Sequence, residues 1–177
     1  MYKARLAVLL SGEGSNLQAL IDATQKGTIK AEIVLVVSNK FDAGGLKRAQ
    51  KSGIENIVLD NLRYADRRSF DCALKSKLKK YNLDLIILAG FMRILTSDFV
   101  EAFAGRILNI HPSLLPKYRG LHTHQKALDA GDKNAGATVH FVTSELDGGP
   151  SIIQAVVPIL KNDTVDALAR RILTKEH

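Results

Sequence analysis

Along most of the chain, short runs that are apolar at nearly every position alternate with longer stretches whose apolar residues recur at helical spacing. Residues 6–10 (LAVLL), 33–37 (IVLVV), 57–59 (IVL), 85–88 (LIIL) and 107–110 (ILNI) are of the first kind. A strand wetted on one face alternates apolar and polar residues, so a continuous apolar run reads as a strand covered on both sides. Helical patterns over residues 17–26, 43–52 and 67–81 separate these runs. Gly53 stands where a left-handed residue would end the second helix, and Asp66 where a side chain would cap the third. The spacing predicts an α/β fold in three layers, with a mostly parallel central sheet and helices on both faces.

The pattern changes after residue 110. A short helix is expected over 123–130, and strands over 137–142 and 152–157 follow with no room for a crossover helix. Such closeness predicts a late antiparallel strand. Asn162-Asp163-Thr164 reads as the cap of a last helix, which still runs at residues 173–177 with no Gly or Pro to stop it. No repeat or linker interrupts the chain, so residues 1–177 are expected to form a single domain.

Composition narrows the class. With 46% apolar and 24% charged residues the chain can bury a real core. No apolar run approaches the roughly 18 residues of a membrane span. The first apolar run ends at Ser-Gly-Glu-Gly, too soon for a secretory signal. Cys72 is alone, which removes disulfide frameworks and thiolate clusters, and the cytoplasm is the expected compartment. The formal charge of +7 is spread out, densest at Lys75, Lys77, Lys79 and Lys80, and reads as a solvated basic surface; no nucleic-acid module accompanies it.

Four stretches carry candidate chemistry. Ser11-Gly12-Glu13-Gly14-Ser15-Asn16 joins the first strand to the first helix, at the sheet edge where α/β folds bind ligands. Backbone N–H groups there, with the Ser15 hydroxyl and Asn16 amide, could hold a phosphate without a cation; a tight turn with a helix cap is the plainer alternative. It is not a dinucleotide fingerprint, because Leu17 stands at the third glycine and Val37-Ser38-Asn39 offers no acid. Leu88-Ala89-Gly90-Phe91-Met92-Arg93-Ile94-Leu95 suits either a flat heteroaromatic ring between apolar walls or a loop packed on the core. In Asn109-Ile110-His111-Pro112, period-two alternation puts Asn109 and His111 on one face of a strand end. They could cap loops, or act as an amide and imidazolium pair that stabilises an oxyanion. Asp147, backed by Gly148 and Gly149, sits on a mobile turn; a carboxylate close to His111 would favour the charged ring. His122, His124 and His140 complete no metal-ligand spacing, and no serine sits at the centre of a Gly-x-Ser-x-Gly elbow.

These stretches, together with Ser38-Asn39-Lys40, Leu121-His122-Thr123-His124 and Val139-His140-Phe141-Val142, occur in an order that resembles the glycinamide ribonucleotide transformylases, a family of folate-dependent formyltransferases. The resemblance covers nearly the whole chain. It implies a Rossmann-like formyltransferase fold and formyl transfer from 10-formyltetrahydrofolate, as co-substrate, to phosphoribosylglycinamide in purine biosynthesis, with no metal or nicotinamide. It implies Asn109, His111 and Asp147 as the catalytic trio. Gly14, Ser15, Asn16, Gly120, His122, Leu173 and Glu176 would bind the phosphorylated acceptor. Arg67, Met92, Arg93, Ile94, Leu95, Asn109, Thr143, Ser144, Glu145, Leu146 and Asp147 would bind the folate. The implied partners are these small molecules, with no nucleic acid and no membrane, for a monomer or homodimer. Family members continue beyond the position of His177, so the C-terminal helical end is expected to be missing and Glu176 to lie at a frayed end. Arg119 is a feature shared with methionyl-tRNA formyltransferase, which adds a basic domain; formyltetrahydrofolate hydrolase adds a regulatory one.

Overall fold

In the computed structural model, which describes residues 2–177, the chain divides into two compact units, one ending at Leu108 and one beginning at Asn109. The first contains β1 (Ala4–Leu10), α1 (Ser15–Gln25), β2 (Ala31–Ser38), α2 (Gly44–Lys51), β3 (Asn56–Val58), α3 (Arg67–Leu78), β4 (Leu85–Leu88) and α4 (Ser97–Ala102). Its strands lie in the order β3-β2-β1-β4, every pair parallel, with Leu9 of β1 level with Val37 of β2 and Leu88 of β4. Ala7, Val8, Leu9 and Leu10 are all fully buried, as a run covered on both faces requires. Val8 and Leu10 pack with Leu17 and Ile21 of α1 and with Leu46 and Ala49 of α2.

Local signals explain most element ends. The Asp66 carboxylate accepts from the Ser69 N–H at 2.7 Å and Ser69 returns the bond, a reciprocal cap at the start of α3. Gly53 takes its left-handed conformation after α2, at φ 68°. The pattern over 67–81 divides into α3 and a 3₁₀ turn, Lys79–Tyr81, closed by left-handed Asn82. α4, six residues long, is too short to show a period and was not foreseen.

The second unit holds most of β5 (Ile107–His111), then α5 (Thr123–Asp129), β6 (Asn134–Phe141), β7 (Ser151–Pro158) and α6 (Val165–Glu176). Its strand order is β5-β6-β7, and β6 and β7 are antiparallel with Ala137 opposite Ala155. At Gly136 an added Cβ would fall 1.9 Å from the Ala155 carbonyl oxygen, so only glycine fits there. Leu168 and Ile172 of α6 pack on Ala127, Ala135, Ala137 and Val157. The expected cap of α6 resolves to the Thr164 hydroxyl, which accepts from Ala167 N–H, and Asp163 holds Arg171 with two bonds at 2.6 and 2.8 Å. The fold is α/β, mostly parallel with a late antiparallel strand. Among the described residues, no helix is long and apolar enough to cross a membrane.

Candidate active site

In the first unit, the 11–16 loop leaves β1 and opens α1 through Gly14, which is left-handed at φ 72° and ψ 35°. An alanine there would be strained, and its Cβ would fall 2.6 Å from Gly45 Cα. The Gly45 N–H donates to the Gly12 carbonyl at 3.1 Å, so the loop lies directly on the start of α2. Buried Ser11 donates to the Asn39 amide oxygen at 2.5 Å and accepts from Met92 N–H at 2.8 Å. Its own N–H donates to the Gly90 carbonyl at 3.0 Å. Ser11 thus ties this loop to the 88–95 segment, a role the sequence did not reveal. Ser15 and Asn16 begin α1, half-buried.

That segment leaves β4 through Gly90, left-handed at φ 73°. Met92 and Ile94 are exposed, at 61% and 55%, whereas Phe91 is buried. The Arg93 guanidinium lies 5.2 Å from the centre of the Phe70 ring, and Leu95 is half-buried. Met92 and Ile94 thus face outward on either side of Arg93 in the chain, while Phe91 packs inward, so the segment carries features of both readings. Arg67, at the start of α3, is exposed.

In the second unit, Asn109 and His111 meet at one carboxylate. The Asn109 amide Nδ2 is 3.4 Å from Asp147 Oδ1, and His111 Nδ1 is 3.5 Å from Asp147 Oδ2. They share a face of β5, as the alternation predicts. Gly120 N–H donates to Asp147 Oδ2 at 2.9 Å. His111 Nε2 faces the Tyr118 carbonyl at 2.9 Å, which can only accept, so this nitrogen carries a hydrogen. His140, in β6, belongs to the same cluster. Its Nε2 lies 3.1 Å from Asn109 Nδ2 and 3.6 Å from Asp147 Oδ1, while Nδ1 donates to the Phe141 carbonyl at 2.9 Å. Only the pairing of β6 brings it there, so no local signal marks it.

Of the five non-glycine residues with positive φ among the described residues, Tyr118, His122 and Asp147 fall in or beside this cluster. Backbone strain of this kind persists where surrounding contacts over-determine it, and it gathers at functional sites. Burial would raise the Asp147 pKa, but His140, the Gly120 N–H and the field of His111 outweigh it and hold the carboxyl below its ordinary value. His124 goes below the usual imidazole value, because burial disfavours its charge more than Glu176 favours it.

The rest of the expected contact set in this unit is spread around the trio. Thr143, Ser144, Glu145 and Leu146 are exposed, and Glu145 pairs with Arg119. Exposed His122 opens α5, and Leu173 and Glu176 are half-buried on the last turns of α6.

Residues 4–177 match the formyl transferase family, and the chain belongs to it. Among its relatives is the phosphoribosylglycinamide formyltransferase of Escherichia coli (strain K12), 52% identical over 172 residues, which are 97% of this chain and 81% of that protein. The trifunctional purine biosynthetic protein adenosine-3 of Chironomus tentans is 52% identical over 177 residues, 99% of this chain but only 13% of that longer polypeptide. A crystal structure of glycinamide ribonucleotide transformylase 1 from Symbiobacterium toebii superposes with a TM-score of 0.96 at 48% identity, covering 98% of this chain and 82% of that one.

Proposed function

We propose that this chain transfers the formyl group of 10-formyltetrahydrofolate to the amine of 5-phosphoribosylglycinamide, giving formylglycinamide ribonucleotide and tetrahydrofolate in de novo purine biosynthesis. The observation that carries this reading is the convergence of Asn109 and His111 on the two oxygens of Asp147. The acceptor nitrogen attacks the formyl carbon, a new C–N bond forms, and charge gathers on the formyl oxygen. The bond from carbon to the folate nitrogen then breaks, and the amine proton passes to that leaving nitrogen.

Asn109 and His111 are the groups placed to donate to the developing oxyanion. In the resting geometry their contacts to Asp147 are the long ones, at 3.4 and 3.5 Å, whereas those to His140 and the Tyr118 carbonyl are 3.1 and 2.9 Å. The Asn109 amide and, in the charged ring, the His111 Nδ1–H are therefore the groups an oxyanion would take. Asp147, held ionised, stabilises the charged imidazole and helps move the proton.

In the first unit, Gly14, Ser15 and Asn16 would hold the acceptor's phosphate. Arg67, Met92, Arg93, Ile94 and Leu95 would hold the folate ring system. In the second unit, the 143–147 loop would contribute to the folate, and Gly120, His122, Leu173 and Glu176 to the acceptor. The partners proposed are these small molecules alone, for a cytoplasmic monomer or homodimer. Ultraviolet monitoring of folate deformylation with and without glycinamide ribonucleotide tests the reading. Turnover that depends on the acceptor is expected; equal turnover without it would mean a hydrolase, and none in either case would sink the proposal.

A further inference from the structure

Arg48 of α2 reaches back along the 11–14 loop. Its Nε–H donates to the Glu13 carbonyl at 2.8 Å, and Nη1 is 3.4 Å from Gln18 Oε1 on α1. Its Cδ would lie 3.6 Å from a Cβ on Gly14, so the side chain runs against the loop itself. One residue earlier, the Gly12 carbonyl accepts from Gly45 N–H at 3.1 Å. Two successive peptide units therefore turn their carbonyls toward α2. In a trans peptide the C=O and N–H point in opposite directions. Anchoring those two carbonyls sends the N–H groups of Glu13 and Gly14 to the other side, and left-handed Gly14 then turns the chain into α1. Successive amides in such a turn form a concavity that binds anions.

We infer that Arg48 is a positioning residue of the phosphate loop, pinning the Glu13 carbonyl so that the Glu13 and Gly14 amides face the acceptor's phosphate. This rests on the proposed function and adds to it a residue on a different element. A lysine cannot reproduce the role, because a single ammonium lacks the fork that reaches the carbonyl and Gln18 together. The Gly14–Gly45 approach is the other half of the device: a Cβ on Gly14 would fall 2.6 Å from Gly45 Cα, so glycine at position 14 lets the loop lie this close to α2, and glycine at 45, where a Cβ would fall 2.4 Å from Leu10 Cδ2, lets α2 sit on β1.

The test compares glycinamide ribonucleotide with its dephosphorylated riboside as acceptors for the wild-type protein, Arg48→Met and Arg48→Lys. Arg48→Met is expected to raise KM for the ribonucleotide about tenfold or more, as loss of a charged hydrogen bond implies, with kcat falling less than about threefold. Turnover of the riboside should hold, and Arg48→Lys should lie between. Equal losses with both acceptors, or an unchanged KM, would overturn the inference. A second readout follows the Glu13 and Gly14 amides by NMR while inorganic phosphate is added. Shifts in the wild type that are lost in folded Arg48→Met support the role; equal shifts in both, or none in the wild type, overturn it. If neither acceptor is formylated by the wild type, the proposed function fails, and the phosphate titration still decides the role of Arg48.

Discussion

On the proposed reading, the 11–16 loop and the Asn109–His111–Asp147 cluster meet negative charge by opposite means. The loop offers backbone amides, set by glycine conformation and by α2 beneath it. The cluster offers side chains, buried and interlocked around one carboxylate. Backbone donors do not titrate, so the pH dependence of a phosphate site of this kind comes from the ligand, whose second ionisation lies at about pH 6. Side-chain donors can follow charge as it develops, at the cost of desolvation and of strain such as the left-handed Asp147. On the proposed reading, the loop contributes to binding alone, whereas the cluster carries the chemistry and its neighbours contribute to binding as well.

The most direct way to break that division is Asp147→Asn. The amide keeps one oxygen for the Gly120 N–H but removes the anion facing His111 and turns the other oxygen into a donor facing Asn109. A fall in kcat of about a hundredfold or more is expected, the cost typical of losing one element of an oxyanion-stabilising set. KM for the acceptor should change little in the same steady-state assay. A matching rise in KM would show that Asp147 shapes the binding region as well.

His140→Leu comes next. The substitution removes the acceptor that fixes the Asn109 amide at 3.1 Å. Turnover should fall about 10- to 100-fold, the range that follows from a small misplacement of a catalytic group. Gly14→Ala acts on the other region: with φ at 72° and Gly45 in the way, the amides must shift. Here KM for the phosphorylated acceptor should rise about tenfold while kcat is nearly kept, the strained alanine costing about 1–2 kcal/mol. A large kcat effect at Gly14 would blur the contrast.

The same contrast sets how much could be read from the chain. Asn109 and His111 were legible because both lie within one short strand, where period two alone places them on one face. Asp147 followed from its glycines, and Asp66 from its capping position. The three-layer expectation rested on apolar runs, and β1, β2 and β4 conform to it. His140, Ser11 and Arg48 were not legible. Each acts through a partner 28 or more residues away, His140 on Asn109, Ser11 on Asn39 and Arg48 on Glu13, and pairing of that range leaves no periodic trace. For 88–95 the alternation could not say which side chains face out, and the structure exposes Met92 and Ile94 while burying Phe91.

A stability measurement sharpens what holds the cluster's backbone. The prolines after His111 suggest a stiff exit, but fully buried Thr138 also fastens it. Its hydroxyl donates to the Ser113 carbonyl at 2.7 Å and accepts from Leu115 N–H at 3.1 Å and Gln154 at 2.9 Å. Thr138→Val keeps the shape and strands these groups, which should cost about 1–3 kcal/mol in chemical denaturation. A neutral result would return the role to the prolines.

The smallest effect concerns pH. Asp147 and His124 both have lowered pKa values, yet they favour the folded state over different ranges. For Asp147, the folded pKa lies below the unfolded value, so its contribution is complete above about pH 4 and is lost as pH falls further. For His124, a lowered pKa means that the unfolded chain takes up the proton first. Nothing is gained or lost above about pH 6.5, and stability declines as pH drops below it. Wild-type denaturation midpoints should therefore begin to fall between pH 6.5 and 5, before any carboxylate titrates, and His124→Gln should flatten that limb alone. The Glu176 carboxylate favours the charged ring, so Glu176→Gln should steepen the same limb. A limb untouched by either substitution would place the first acid-sensitive step elsewhere in the second unit.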